Sequence, residues 1–157
     1  MKPRVYLETT VPSYLTAWAS RDLVMASHQQ ITREWWESRR QDFDVFVSQF
    51  VIDEASAGDP DAAKRRLEFL ADIPLLDPSD DVQPLAAELM KRVPLPPKAA
   101  ADSLHIAIAT VNGMQYLLTW NCTHIANAEL RFNIDEVCRG FSYQPPVICT
   151  PEELLKE

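Results

Sequence analysis

Apolar and polar positions follow two rhythms along the chain, a short strand-like run and a helical period, and the two keep exchanging. The run RVYLE holds the strand formers Val5, Tyr6 and Leu7 and predicts a first strand over about 4–8. VPSYLTAW then opens a helix, with Pro12 suited to a first turn. A second helix is predicted over about 21–40, with Leu23, Ile31, Trp35 and Trp36 on or near one face and Arg33, Arg39 and Arg40 outside it. DFDVFVSQF predicts a strand over about 43–48, and Ser48 is placed to cap the helix that carries Glu54.

Gly58, Asp59 and Pro60 break the chain, and DAAKRRLEFLA resumes as an amphipathic helix to about Ala71. IPLLDP predicts a short strand closed by Pro78. SDDVQPLAAELMKRV predicts a helix with Ser79 as its cap and acids in its first turn, as the helix dipole prefers. VPLPPK is a Pro-rich loop too short for a domain linker. AAADSLHIAIATVNGM is a strongly apolar helix ending at Gly113, QYLLTW a buried strand, and residues from about 125 to 139 are mostly helical. PPVICT predicts the last strand, before a terminal helix in PEELLKE. Strands alternating with helices point to α/β architecture with a parallel sheet, in one domain spanning 1–157.

Composition narrows this only modestly. The chain is 46% hydrophobic and 24% charged, which suits a globular domain and argues against a disordered one. No apolar run approaches the roughly 20 residues needed to span a bilayer, so no membrane is expected as a partner. MKPRVYLE lacks an apolar stretch of signal-peptide length, and the expected location is cytoplasmic. Cys122, Cys138 and Cys149 form no CxxC pair and read as free buried thiols rather than a disulfide framework or a zinc site. A net charge of -8 argues against a sequence-reading DNA binder. It leaves room for a nucleic-acid substrate at a site where a divalent cation reverses the local field.

The candidate chemistry lies in four polar residues from four segments. Glu8 closes the first strand, and Glu54 follows the second strand by about two helical turns. Asp102 is early in the apolar helix, and Asn121 lies just beyond Thr119, where the LLT strand stops. All fall at the carboxyl edge of the predicted sheet, where open α/β folds bind ligands. Oxygen ligands of this kind hold hard cations such as Mg²⁺ or Mn²⁺, and converging carboxylates repel unless a cation neutralises them. Such a cation activates a water for attack on phosphorus.

Each residue also has a plainer reading. Glu8 serves equally as a capping acid, Asp53 competes with Glu54, and Asp102 suits the first turn of a helix. His105, one turn after Asp102, is a hydrogen-bonded packing residue, a phosphate contact or a proton carrier. Thr9 and Thr119 orient the acids or simply close strand ends. His124 and Asn127 are substrate contacts or helix caps, and Trp120 is the tryptophan best placed to stack on a base. No GxSxG, GxxxxGK[ST] or GxGxxG is present, which removes the α/β-hydrolase nucleophile elbow and the phosphate-cradling loops.

YLETTVPSYL, VIDEASAGD, AADSLHIAIAT and LLTWNCTHIANA together resemble PIN-domain ribonucleases, specifically the VapC-like toxins of toxin–antitoxin pairs. The resemblance implies a PIN-like three-layer fold with a central, mostly parallel five-stranded sheet flanked by helices. It implies a metal-dependent endoribonuclease using Mg²⁺ or Mn²⁺, an RNA substrate, a homodimer and a small antitoxin protein as partner. It carries the catalytic and metal roles onto Glu8, Glu54, Asp102 and Asn121, and so selects Glu54 over Asp53. Thr9, Thr119 and His105 are the supporting candidates, and Arg33, Arg39, Arg40 and Lys98 are candidates for steering RNA. Two positions depart from the pattern. Glu8 stands where aspartate is usual, moving the carboxylate outward by more than about 1 Å. Asn121 stands where an acid is usual, and weaker metal binding is expected. A PIN-fold binding module that has lost catalysis is the alternative reading.

Overall fold

Val5, Tyr6 and Leu7 have no solvent-exposed surface, because their strand sits inside the sheet rather than at its rim. The computed structural model describes residues 1–156. Strand β1 (Arg4–Leu7) pairs in parallel with β2 (Asp44–Phe46) on one side and β3 (Tyr116–Leu118) on the other. β4 (Val147–Cys149) lies beyond β3, giving the order β2-β1-β3-β4, all parallel. From β1 the chain crosses outward to β2, whereas from β3 it crosses the opposite way to β4. Right-handed crossovers therefore set their helices on opposite faces, producing three layers. The order reverses between β1 and β3, which is where such sheets open a crevice at their carboxyl ends.

Seven α-helices connect these strands among the described residues: α1 (Thr10–Thr16), α2 (Leu23–Arg39), α3 (Gln49–Ala55), α4 (Pro60–Leu70), α5 (Val82–Arg92), α6 (Ala100–Val111) and α7 (Ala128–Gly140). α1 packs against α2 and α4, whereas α5 packs against α6 and α7. Side chains set several boundaries, at Ser48 and Asn127 as the sequence suggests and at Asp59 where it showed only a chain break. Ser48 accepts from the Val51 amide at the start of α3, Asp59 caps α4 ahead of Pro60, and Asn127 accepts from the Glu129 amide at the start of α7. Gly113, at φ +69°, supplies the left-handed residue just past α6. Trp35, Leu85, Leu89 and Ile106 are fully buried, the three aliphatic side chains each worth about 1.5–3 kcal/mol of transfer free energy.

Four expectations are corrected. The sheet has four strands rather than five: IPLLDP contributes a single parallel bridge, Leu75 to Val47. Pro74 accepts from the Val47 amide and Leu76 donates to the Val47 carbonyl, but Pro74 has no N–H to extend the ladder. Ser79 is not a cap, since α5 starts after Asp81 and the Ser79 hydroxyl accepts from the Asp81 amide instead. Residues before Ala128 form a turn, so α7 starts later than 125. In PEELLKE only a 3₁₀ turn forms, Pro151–Leu154; its last residue, Glu157, lies outside the described residues.

Candidate metal centre

The reversal of strand order puts Glu8 and Thr119 side by side. The Glu8 amide donates to the Leu118 carbonyl at 3.0 Å and the Thr119 amide to the Cys149 carbonyl at 3.0 Å, each continuing a parallel ladder one residue past its strand. Glu8 is only 5% exposed. Its Oε1 accepts from the Thr119 hydroxyl at 2.7 Å and from the Thr10 hydroxyl at 2.5 Å. The Thr10 oxygen in turn accepts from the Trp120 amide, and the Thr119 oxygen from the Asn121 amide, both at 2.9 Å. With a backbone N–H holding each oxygen, each hydroxyl directs its one hydrogen at the carboxylate.

Glu54 reaches the same edge from the last turn of α3. Its Oε1 accepts from the Thr9 hydroxyl at 2.5 Å and from His105 Nε2 at 2.6 Å. Burial opposes ionisation of Glu54, but the hydrogen bonds from His105 and Thr9 outweigh it and hold the carboxyl below its ordinary value. The neighbouring Asp53 is exposed and bonded by Gln49, so Glu54 is the acid of this pair that faces the site. Donor atoms of Glu8, Glu54 and His105 lie within 4.8 Å of one another.

Asp102 and Asn121 form a second group beside the first. Asn121 donates through Nδ2 to Asp102 Oδ1 at 2.9 Å, while its Oδ1 accepts from the His124 amide at 3.0 Å. His124 Nδ1 meets the other Asp102 oxygen at 2.9 Å. Asn121 thus closes the turn that follows β3 and directs an N–H, not an oxygen, at Asp102. Thr119 joins the two groups, bonded to Glu8 by its hydroxyl and to Asn121 by the amide it accepts.

The residues fit a divalent cation. Among the described residues no lysine or arginine pairs with Glu8, Glu54 or Asp102; their only ionisable basic partners are His105 and His124. Oε1 of both glutamates is filled by hydrogen bonds, and Oε2 of each carries none among the described residues. Two carboxylates held together without a fixed counter-charge are favourable when a cation lies between them.

Other candidates sort by burial. Trp120 is 8% exposed, its indole N–H donates to the Thr32 hydroxyl at 2.7 Å, and His28 covers one face with ring centroids 4.0 Å apart. That corrects the expectation of base stacking there. Arg39 donates to the Leu154 carbonyl and pairs with Asp42, and Arg40 lies over the Trp36 ring, so packing engages both. Lys98 stays exposed on the turn leading into α6. Sequence reasoning missed Thr10 and Tyr6, and it found Ser48 only as a helix cap, not as the partner of the Tyr6 hydroxyl; the doubled threonine after Glu8 was the available signal for the first.

A model of the PIN domain family matches residues 5–121, and the chain belongs to that family. Among solved structures it is similar to VapBC2 from Rickettsia felis, determined bound to a DNA fragment from their promoter. The identity is 14% with a TM-score of 0.59, over 94% of this chain and 98% of that one, a likeness of fold. None of the curated proteins matches.

Proposed function

We propose that the protein is a metal-dependent endoribonuclease, the toxin of a toxin–antitoxin pair, working as a single PIN-like domain over 1–157. The observation that carries this reading is the convergence of Glu8 and Glu54 at the strand reversal, with no lysine or arginine paired to them among the described residues. Membership of the PIN family, whose domains are generally nucleases, supports it.

Glu8, Glu54 and Asp102 hold Mg²⁺ or Mn²⁺ in this proposal, and Asn121 assists by fixing Asp102. The bound cation supplies activation of a water and stabilisation of charge at the phosphodiester. Thr10 and Thr119 fix the Glu8 carboxylate, and Thr9 and His105 fix that of Glu54, so both are positioned before RNA arrives. A small antitoxin is the proposed protein partner, in keeping with the fold shared with a chain of the VapBC2 structure. A homodimer is part of the same proposal. No helix among the described residues is long and apolar enough to cross a membrane.

The test is cleavage of a single-stranded RNA panel with Mn²⁺, with Mg²⁺ and with EDTA, for the wild type and for Asp102→Asn. Cleavage that needs the metal and is lost in the variant is expected. RNA left intact under all metal conditions, or equal cleavage by the variant, sinks the enzyme reading. The second reading, a PIN-fold binding module, draws on Asn121, whose side-chain oxygen is turned to the His124 amide. It predicts RNA bound but uncut.

A further inference from the structure

Behind Glu54 runs a buried line of hydrogen bonds that ends deep in the fold. Ser48 Oγ lies 2.8 Å from the Tyr6 hydroxyl, which lies 2.8 Å from His105 Nδ1, and His105 Nε2 meets Glu54 Oε1 at 2.6 Å. Tyr6 is fully buried and His105 is 1% exposed. Its ring packs against Phe50, centroids 4.8 Å apart, and against Tyr6 at 5.9 Å.

The hydrogens along this line follow a single direction when the imidazole is neutral. A carboxylate only accepts, so Nε2 carries the ring hydrogen and donates to Glu54. Nδ1 then accepts from the Tyr6 hydroxyl, and Tyr6 accepts from the Ser48 hydroxyl. Ser48 keeps a lone pair for the Val51 amide, the bond that starts α3. The helix that presents Glu54 and the imidazole that grips it are therefore anchored at one serine.

This geometry separates His105 from the ligands it accompanies. Both ring nitrogens are already bonded, so coordination through Nε2 breaks the bond to Glu54, and Nδ1 is turned away toward Tyr6. Thr9 and His105 together saturate Oε1 of Glu54 and leave Oε2 as its free oxygen. We propose that His105 is a positioning residue for the metal centre: anchored by Tyr6 and Ser48, it fixes the Glu54 carboxylate with Oε2 directed to the cation, without binding the cation itself. This rests on the metal-centre reading above and goes beyond it by assigning how the acid is held. Partners of metal-ligating carboxylates typically contribute 10- to 100-fold in affinity.

The test reads metal binding rather than cleavage, by Mn²⁺ titration calorimetry and pulsed EPR on the full chain. His105→Gln keeps a donor near the Nε2 position, whereas His105→Asn is too short to reach Glu54. About 10- to 100-fold weaker Mn²⁺ binding is expected for His105→Asn, with most of the affinity kept by His105→Gln. Tyr6→Phe, which frees Nδ1 while preserving the buried ring, is expected to weaken binding in the same direction. Pulsed EPR of the wild type is expected to show no directly coordinated nitrogen that vanishes on His105→Gln. Wild-type affinity in a folded His105→Asn protein, or such a nitrogen coupling, overturns the assignment. Unchanged affinity in Tyr6→Phe overturns the anchoring role of Tyr6 and Ser48. A wild type that binds no Mn²⁺ overturns the metal centre itself. Normal Mn²⁺ binding with RNA left uncut sinks only the nuclease reading.

Discussion

Thr119 donates its hydroxyl hydrogen to Glu8 Oε1 at 2.7 Å, linking the residue after β3 to the residue after β1. These are the strands between which the sheet order reverses, so the bond sits at the crevice itself. Thr119→Val keeps the shape of the side chain but removes the donor. It leaves a buried carboxylate with one fewer partner and the Asn121 amide without its acceptor. A loss of about 1–3 kcal/mol is expected by urea denaturation in EDTA. Mn²⁺ affinity should fall about 10- to 100-fold, and Thr119→Ser should recover most of both. Equal Mn²⁺ binding by Thr119→Val would mean the hydroxyl serves the strand end alone.

Glu8 is the acid that departs from the aspartate usual at this place in the family, and its length is used. Leaving β1, the extra methylene carries Oε1 to both Thr10 and Thr119. Glu8→Asp withdraws the carboxylate by more than about 1 Å, too far to keep both bonds at their present lengths. The shorter acid is therefore expected to bind Mn²⁺ more weakly and to cut RNA more slowly than the wild type. Kinetics at saturating and limiting Mn²⁺ will show whether added metal restores the rate. A faster Glu8→Asp enzyme would mean that the threonines hold Glu8 out of its best position.

How much of this was legible in the sequence depends on the range of the interaction. Ser48 and Asn127 announce helix starts because a cap acts over three residues or fewer, and both cap as local chemistry suggests, whereas Asp59 read as a chain break and proves to be a cap as well. Glu8 was readable as an acid at a strand end and Asp102 as one at a helix start, whereas Glu54, in the last turn of α3, was separated from Asp53 only by the family resemblance. That His105 grips Glu54 was not readable, because the partners are 51 positions apart and meet only when α3 and α6 close over β1. The fifth strand failed for a backbone reason: IPLLDP has strand-like side chains, but its prolines cannot donate to a ladder. Trp120 misled for a similar reason, since its neighbour Asn121 is at the site while its ring is held inward by Thr32 and His28.

Glu54 gives the metal-free protein a defined acid response. Its carboxyl is held below the ordinary 4.5 by His105 and Thr9 against the opposing effect of burial. A group whose folded pKa is depressed contributes stability that is complete above the unfolded value and is lost as pH falls through the folded one. In EDTA, wild-type stability should therefore decline more steeply below about pH 4.5 than that of Glu54→Gln. Asp135, raised by burial against the pull of Arg139 and Arg131, titrates in both proteins and cancels in the difference. Urea unfolding at stepped pH measures the slope. A wild-type curve parallel to that of Glu54→Gln would show that the grip on Glu54 adds no stability.

The cysteines offer a check on the fold that does not depend on metal. Cys138 and Cys149 are buried, whereas Cys122 is exposed in the turn after β3, against the expectation of three buried thiols. Burial pushes the Cys149 thiol up to about 12, assisted by Glu153 and opposed by Arg131. Burial also raises Cys138, against a hydrogen bond shared with Thr110. Thiolate is the reactive form, so both should resist alkylation while the protein is folded. Cys122 is also raised, by partial burial and by Glu153, so it should react more slowly than a free thiol but at a pH-dependent rate. Iodoacetamide labelling followed by intact mass should add one group to the native protein and three after denaturation. Rapid labelling of Cys149 in the native state would contradict its burial in the core, where it is 3% exposed.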